Sequence, residues 1–394
     1  MNLLSRLSRI TTPGREFIPQ IDGLRFLAIT AVIGFHVWAI GTFHLGCPGD
    51  TSTTVGLFLT NGHMGVELFF VISGFILALP FAKQFLAGGK TIRLRDYFIR
   101  RVSRIEPPYV IQLALVFLWT ALALRHSPTH QLLYGAKGWF HYTAPHILAS
   151  LFYAHDLIYK SHPYPNIVLW SLEVEVQFYL LAPFLASLFA IRKAWFRRGL
   201  MFLIVLAWPW IYNSCGLQPL SERVGLVADL PYFFTGFLLV ELYLSGWLTS
   251  GKKNYMWDLF FFLSAPAAVY CPYAETWIFL GVCLAAFRGR IASLFMSHPW
   301  ITTIGGMCYT IYMYHWLLIA VLIRGTIHLK TGILWLDLLV QFLVLAPMIF
   351  LICAMPFALF ERPFMRRDWP ARFKKFLFKT KVVGQSQADP VVGE

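Results

Sequence analysis

The run LRFLAITAVIGFHVWAIGTFH, Leu24–His44, carries one fixed charge, Arg25, at its start and one histidine, His36, in its interior. An apolar stretch of about 20 residues, rising ~1.5 Å per residue, is what a hydrocarbon core of ~30 Å requires of a helix. The stretch therefore reads as a membrane-crossing helix. Comparable runs recur at 64–82, 107–124, 167–191, 196–212, 226–245, 255–271, 273–288, 301–323 and 332–360. The pattern predicts an all-α protein, a polytopic integral membrane helix bundle with about ten transmembrane helices. The pair 255–271 and 273–288 is the weakest, since each is short and Cys271-Pro272 separates them.

Composition points the same way. Of 394 residues, 58% are hydrophobic and 13% charged, against roughly 25% charged in an ordinary soluble domain. The net charge of +14 is explained by where it falls. With the first residues placed in the cytoplasm, only Arg125, Lys137, Lys160, Arg223, Arg324 and Lys330 of the 33 Lys and Arg lie in outward segments. That asymmetry is the positive-inside pattern, so no nucleic-acid partner is needed to account for it. The expected setting is the cell (inner or plasma) membrane, multi-pass, with both termini cytoplasmic and membrane lipid as a partner. Three parts follow: a basic N-terminal segment, 1–23; a transmembrane domain, 24–367; and a polar, partly disordered tail, 368–394.

The first 16 residues lack the apolar core of a signal peptide. Leu3, Leu4, Leu7 and Ile10 share a helical face beside Arg6 and Arg9, which fits either a helix on an anionic membrane surface or a disordered basic tail. Of the six cysteines, Cys283, Cys308 and Cys353 sit in apolar runs, while Cys47, Cys215 and Cys271 fall near outer turns, where two of them could pair. The longest outer segment, Arg125–Asn166, holds His126, His130, His141, His146, His155 and His162 among many aromatics. Its residues 147–158 are apolar enough to lie in the interface or dip into it. Beyond His126 and His130 the histidines lack ligand spacing, so no metal is expected. No internal repeat, HExxH, P-loop or GxSxG motif is present.

Ionisable groups at membrane depth are costly and mark function. Counting ~1.5 Å per residue, His36 lies roughly 18 Å from the inner face and His315 roughly 21 Å. Glu175, entered from outside, and Glu67, near the outer end of its span, fall in the same outer half. These side chains could form an acid–base site inside a bundle, or simply bridge helices by hydrogen bonds. Arg25 and His36, eleven residues apart, share one stripe of the first helix. Arg101 and Arg104 share a face at the inner end of the third. The three arginines could hold phosphate or merely obey the positive-inside rule. Glu173 and Glu175 point to different faces, and Tyr179 stacks on Glu175.

Six stretches, IDGLRFLAITAVIGFH (Ile21–His36), GVELFFVISGFIL (Gly65–Leu77), LRDYFIRRVSRIEPPY (Leu94–Tyr109), WSLEVEVQFYLLAP (Trp170–Pro183), CYTIYMYHWLL (Cys308–Leu318) and FERPFMRR (Phe360–Arg367), resemble in order the membrane-bound acyltransferase-3 family. Its members O-acylate glycans and macrolide sugars. The resemblance implies ten helices, an acetyl-CoA or other acyl-CoA donor, no metal, and transfer to a hydroxyl. It carries the family's arginine and histidine onto Arg25 and His36, its arginine pair onto Arg101 and Arg104, and its first glutamate onto Glu175. Its second glutamate position is Val176 here, a departure. His315, Glu67, Glu173 and Tyr309 are secondary candidates. The resemblance is to stand-alone members without a fused hydrolase-like domain, which either acylate the final acceptor or hand over to a separate periplasmic transferase. The expected reading is an acyltransferase in which His36 and Glu175 are catalytic and Arg25, Arg101 and Arg104 bind the donor. His36 would serve as general base or as transient acyl carrier. The acceptor would be a glycan, glycolipid or glycosylated small molecule. The alternative is a proton-coupled transporter or flippase of a glycan precursor.

Overall fold

The computed structural model describes residues 7–10, 17–124, 138–214, 225–271, 274–366 and 369. Arg6, Arg15, Arg125, His126, His130, Lys137, Cys215, Arg223 and the tail beyond Trp369 lie outside them. The described residues contain helices and no strand. In chain order these are α1 (Pro19–His44), α2 (Thr54–Thr60), α3 (Met64–Leu86), α4 (Leu94–Leu124), α5 (Gly138–Leu151), α6 (His155–Tyr159), α7 (Trp170–Leu185) and α8 (Ala194–Ser214). There follow α9 (Leu226–Leu244), the single turn Trp247–Ser250, α10 (Tyr255–Tyr270), α11 (Glu275–Arg288), α12 (Arg290–Met296), α13 (Pro299–Gly306), α14 (Cys308–Thr326) and α15 (Leu334–Pro356).

Helix α1 is the axle of the bundle. Leu24, Ala28, Ile29, Val32, Ile33 and Val37 are sealed from solvent, and α3, α13, α14 and α15 pack around it. A helix that is apolar on every side has no solvated face to keep outward, so burial all round is its stable placement. The crossings are set by small residues that let backbones approach. A Cβ at Gly236 of α9 would stand 2.2 Å from the Val71 carbonyl oxygen of α3, and one at Gly305 of α13 would stand 1.8 Å from the Asp22 carbonyl oxygen of α1. Any side chain at either position would force the helices apart.

Among the described residues, seven helical stretches are long and apolar enough to cross a membrane, and an eighth arises if α11 and α12, bent by 87° at Gly289, count as one span. The expected figure of about ten is not confirmed. Where 255–271 was predicted, α10 has 16 residues, about 24 Å of rise against the ~30 Å needed. Where 196–212 was predicted, α8 forms, but its first turns carry Arg197 and Arg198, both bonded to Glu241 of α9. The stretch predicted at 273–288 ends at the bend. There Asp258 of α10 accepts hydrogen bonds from the backbone N–H groups of Arg290, Ile291 and Ala292 at 2.8–3.0 Å, which satisfies orphan donors at the start of α12.

The segment 138–169, assigned to the outside from sequence, enters the bundle. Tyr109, midway along α4, donates to the Ser150 carbonyl at 2.8 Å. Its ring stacks on Tyr153 at 4.6 Å, and the Tyr153 hydroxyl reaches Glu106 at 2.9 Å. The return path is tied to α14: Asn166 Nδ2 donates to the Met313 carbonyl at 3.0 Å and the Tyr312 hydroxyl to the Val168 carbonyl at 3.0 Å. Irregular backbone at this depth is tolerable because protein supplies its hydrogen bonds.

At the basic end of the bundle, residues 7–10 turn inward instead of lying flat. Leu7 packs on the core, the Ser8 carbonyl accepts from Arg362 at 3.2 Å, and Arg9 pairs with Asp22 at 3.3 Å. Cys47 and Cys271 are both free thiols.

Candidate active site

A cavity of about 790 Å³, counting its open mouth, lies between α1, α3, α4, α7 and α14. Arg25, Arg101, Arg104, Glu175 and Tyr309 line it together with Ser73, Ser171, Tyr179, Cys308 and Tyr312. Each arginine is held differently. Arg25 is aimed by Asp22, one turn earlier on α1, at 2.5 Å, and Asp22 is itself fixed by the Gly305 crossing. Arg101 lies over the rings of Tyr97 and Tyr179, 5.8 and 5.7 Å from their centroids. No carboxylate pairs directly with Arg101 or Arg104 among the described residues. Two guanidinium groups facing a cavity, neither in direct contact with a carboxylate, are suited to bidentate anion binding.

Glu175 belongs to this cavity. It accepts from Ser73 Oγ at 2.6 Å and from the Tyr179 hydroxyl, one turn on along α7, at 2.5 Å. It is not the partner of His36. Gly65 of α3 abuts Ala28 of α1. From that crossing Ser73 lies about 12 Å toward the basic end, whereas His36 lies about 12 Å the other way. The sequence placed them in one depth band by counting from span ends. That count fails because α7 starts deep in the bundle, after the re-entrant segment, and not at the surface.

The partner of His36 is His315, whose ring centroid lies 5.0 Å away. His315 is fully buried. Its Nδ1 sits 2.6 Å from the Tyr312 carbonyl oxygen, which can only accept, so Nδ1 carries the proton. In the neutral ring Nε2 is then a bare acceptor, and it has no hydrogen-bond partner. His36 is half-buried, and no hydrogen bond to it is found among the described residues. Tyr312 connects the two centres. It lines the arginine cavity, its ring lies 5.4 Å from that of His315, and its hydroxyl contacts Ser171 Oγ at 2.5 Å.

The remaining candidates separate. Tyr309 donates to the Ile105 carbonyl at 2.9 Å from the cavity wall. Glu67 lies in the electrostatic range of Tyr312 and of Tyr232, away from the arginines, and its Oε2 is unpartnered. Glu173 is fully buried, and its Oε2 accepts from the backbone N–H of Asp156 at 3.0 Å, at the start of α6. Its Oε1 has no hydrogen-bond partner among the described residues. Among the described residues no cluster of three or more His, Cys, Asp or Glu could hold a metal ion.

Sequence reasoning did not name Asp22, Ser73, Ser171 or Tyr312. Asp22 and Tyr312 each stand three residues before a named candidate, Arg25 and His315, a spacing that places them on the same face. Ser73 carries no such signal.

Residues 18–358 match the acyltransferase domain family. The chain belongs to that family. Curated relatives include a peptidoglycan O-acetyltransferase of Listeria monocytogenes, 28% identical over 45% of this chain and 25% of its own length. A Bacillus subtilis protein provisionally named a peptidoglycan O-acetyltransferase is 30% identical over 44% of this chain and 24% of its own. A Staphylococcus aureus protein provisionally named an O-acetyltransferase is 27% identical over 58% and 34%. This chain thus matches about a quarter to a third of the length of these relatives. No solved structure matches it. Family membership supports an acyltransferase reading in a membrane setting and does not favour the transporter reading.

Proposed function

We propose that the protein moves an acetyl or other short acyl group from acyl-CoA to a hydroxyl of a glycan or glycosylated acceptor. The observation that carries this reading is the cavity in which Arg101 and Arg104 face open space with no carboxylate paired to them. Phosphate oxygens of CoA suit that charge, and the clustering of Lys and Arg at this end supports a cytoplasmic approach for the donor. The thioester arm would extend past Tyr309 toward Tyr312, behind which the His36–His315 pair stands. An acceptor hydroxyl would give its proton to His36, the half-buried member that an acceptor can reach. Its oxygen would attack the thioester carbonyl, the C–S bond would break, and the CoA thiolate would leave and take up a proton. His315, with Nδ1–H fixed on the Tyr312 carbonyl, would offer its bare Nε2 to the same proton path. The names of the relatives support a sugar as the acceptor.

The test is turnover by purified protein in lipid discs, with labelled acetyl-CoA and solubilised peptidoglycan fragments. Label should move to an alkali-labile ester on the glycan, and free CoA should appear in equal amount. Acetyl-CoA that neither binds nor loses its acetyl group with any glycan present would overturn the reading.

A further inference from the structure

The re-entrant segment carries a second histidine pair. His146 Nδ1 and His155 Nε2 are 2.8 Å apart, and His155 Nδ1 lies 3.1 Å from the Ser161 carbonyl oxygen. The proton positions follow from the chemistry of the partners. A carbonyl only accepts, so His155 Nδ1 carries hydrogen. In a neutral His155 the other nitrogen, Nε2, is then an acceptor. His146 Nδ1 must therefore donate to it, which leaves His146 Nε2 bare. Burial keeps the pair neutral by lowering both rings below the ordinary histidine value, His155 to about 4. The relay thus fixes His146 as a one-way acceptor, with no hydrogen-bond partner for its Nε2 among the described residues.

The surroundings are aromatic. Tyr159 stacks on His146 at 4.2 Å and 25°, and Tyr142 lies at 4.9 Å. Tyr159 is 37% exposed, so part of its ring stays open. A fixed acceptor beside exposed ring faces suits a neutral saccharide, whose hydroxyls donate and whose C–H face covers an aromatic ring. It does not suit an anion, because the pair is uncharged, and no group of three or more metal-ligating side chains is found among the described residues. The site is also wired to the histidine pair of the proposed reaction. Glu173 anchors the start of α6, and Asn166 and Val168 tie the outgoing chain to α14 two to three residues before His315.

We propose that His146, with the Tyr142 and Tyr159 rings, is the binding site for a sugar residue of the acceptor glycan. The proposal rests on the acyl-transfer reading and names its acceptor subsite.

The test is binding of a soluble peptidoglycan disaccharide to protein in lipid discs, followed by intrinsic fluorescence, with acetyl-CoA binding measured on the same samples. His146→Phe keeps the ring and removes the acceptor, and Tyr159→Ala removes the platform. Each should weaken disaccharide binding at least ~10-fold, a change of about 1.4 kcal/mol. His146→Gln restores an acceptor oxygen and should stay within about 3-fold of wild type. Affinity should also fall at acid pH below the ordinary histidine range, where protonating the pair turns His146 Nε2 into a donor. The groups facing the pair are His162, Asp156, Glu173, Tyr142, Tyr159 and Tyr164, none of which supplies a fixed cation. Acetyl-CoA binding should be unchanged throughout. Wild-type protein that binds acetyl-CoA but not the disaccharide, or folded His146→Phe that binds it normally, would overturn the proposal while leaving the donor site standing.

Discussion

The bundle holds two polar regions that obey opposite rules. The arginine cavity is built on long helices, and two of its three guanidinium groups have no carboxylate paired with them. The re-entrant segment is built on short helices and turns and is held by hydrogen bonds through the Ser150 carbonyl, the Tyr153 hydroxyl, His155 and Asn166 Nδ2, while Ser150 Oγ, Thr143 Oγ1 and Asn166 Oδ1 have no partner among the described residues. Charge left unmatched inside a scaffold is available to a ligand, whereas groups matched to one another hold backbone in place. The comparison separates a region whose unpaired charge suits an anionic donor from one whose hydrogen bonds hold irregular backbone in place. It also predicts that substitutions in the first region change binding or rate, and those in the second change fold stability or acceptor recognition.

The largest effect should come from the histidine pair that lies between the two regions. His36→Ala should lower the transfer rate by about 10²–10⁴ with acyl-CoA affinity intact, measured by turnover and by equilibrium binding on one preparation. Retained turnover would remove His36 from the chemistry and make His315 the residue to examine.

Next, Arg101→Ala with Arg104→Ala should weaken acyl-CoA binding more than ~10-fold, since charged hydrogen bonds are worth roughly 1.5–3 kcal/mol each. The turnover number at saturating donor should change less. Normal CoA affinity in the folded double variant would return both arginines to a role in membrane orientation alone.

A smaller effect sharpens the placement of Glu175. Because it bonds to Ser73 and Tyr179 inside the arginine cavity, Glu175→Gln should change donor affinity severalfold. A double-mutant cycle should couple it to Arg101 and not to His36. Coupling to His36 and none to Arg101 would restore the catalytic dyad that sequence depth suggested.

The smallest effect should be Glu173→Gln. The amide keeps an acceptor for the Asp156 N–H but gives up the charge, so the thermal midpoint should fall by about 2–4 °C with donor affinity unchanged. A dead but fully folded variant would mean that Glu173 takes part in the chemistry.

What could be read in the sequence follows the same division. The apolar run of α1, the eleven-residue step from Arg25 to His36, and the three-residue step from Arg101 to Arg104 are local patterns, and helix geometry converts them directly into shared faces. The partnership of His36 with His315 was approachable because both depths were counted along uninterrupted helices. The position of Glu175 was not, because its depth depends on how far the chain before it penetrates, and the apolar residues 147–158 fit an interfacial segment as well as one that dips inward. The helix α5 is 14 residues long with Pro145 inside it, which reads equally well as a surface segment. The span count is not confirmed for a related reason: α10 and α11 are apolar but short, and their place depends on Asp258 and Gly289, two residues that no hydropathy pattern singles out.

The depth of that segment has a bearing on how the protein is made. Insertion machinery recognises apolar runs of about 20 residues, and α5 offers too few to be laterally released as a helix of its own. It must wait outside until α4, α7 and α14 have assembled the slot it fills. The bond from Tyr153 to Glu106 is then among the last to form. Because α14 also lines the arginine cavity, an enzyme assembled in this order would complete its donor side and its acceptor side together, only when synthesis and insertion of α14 are done.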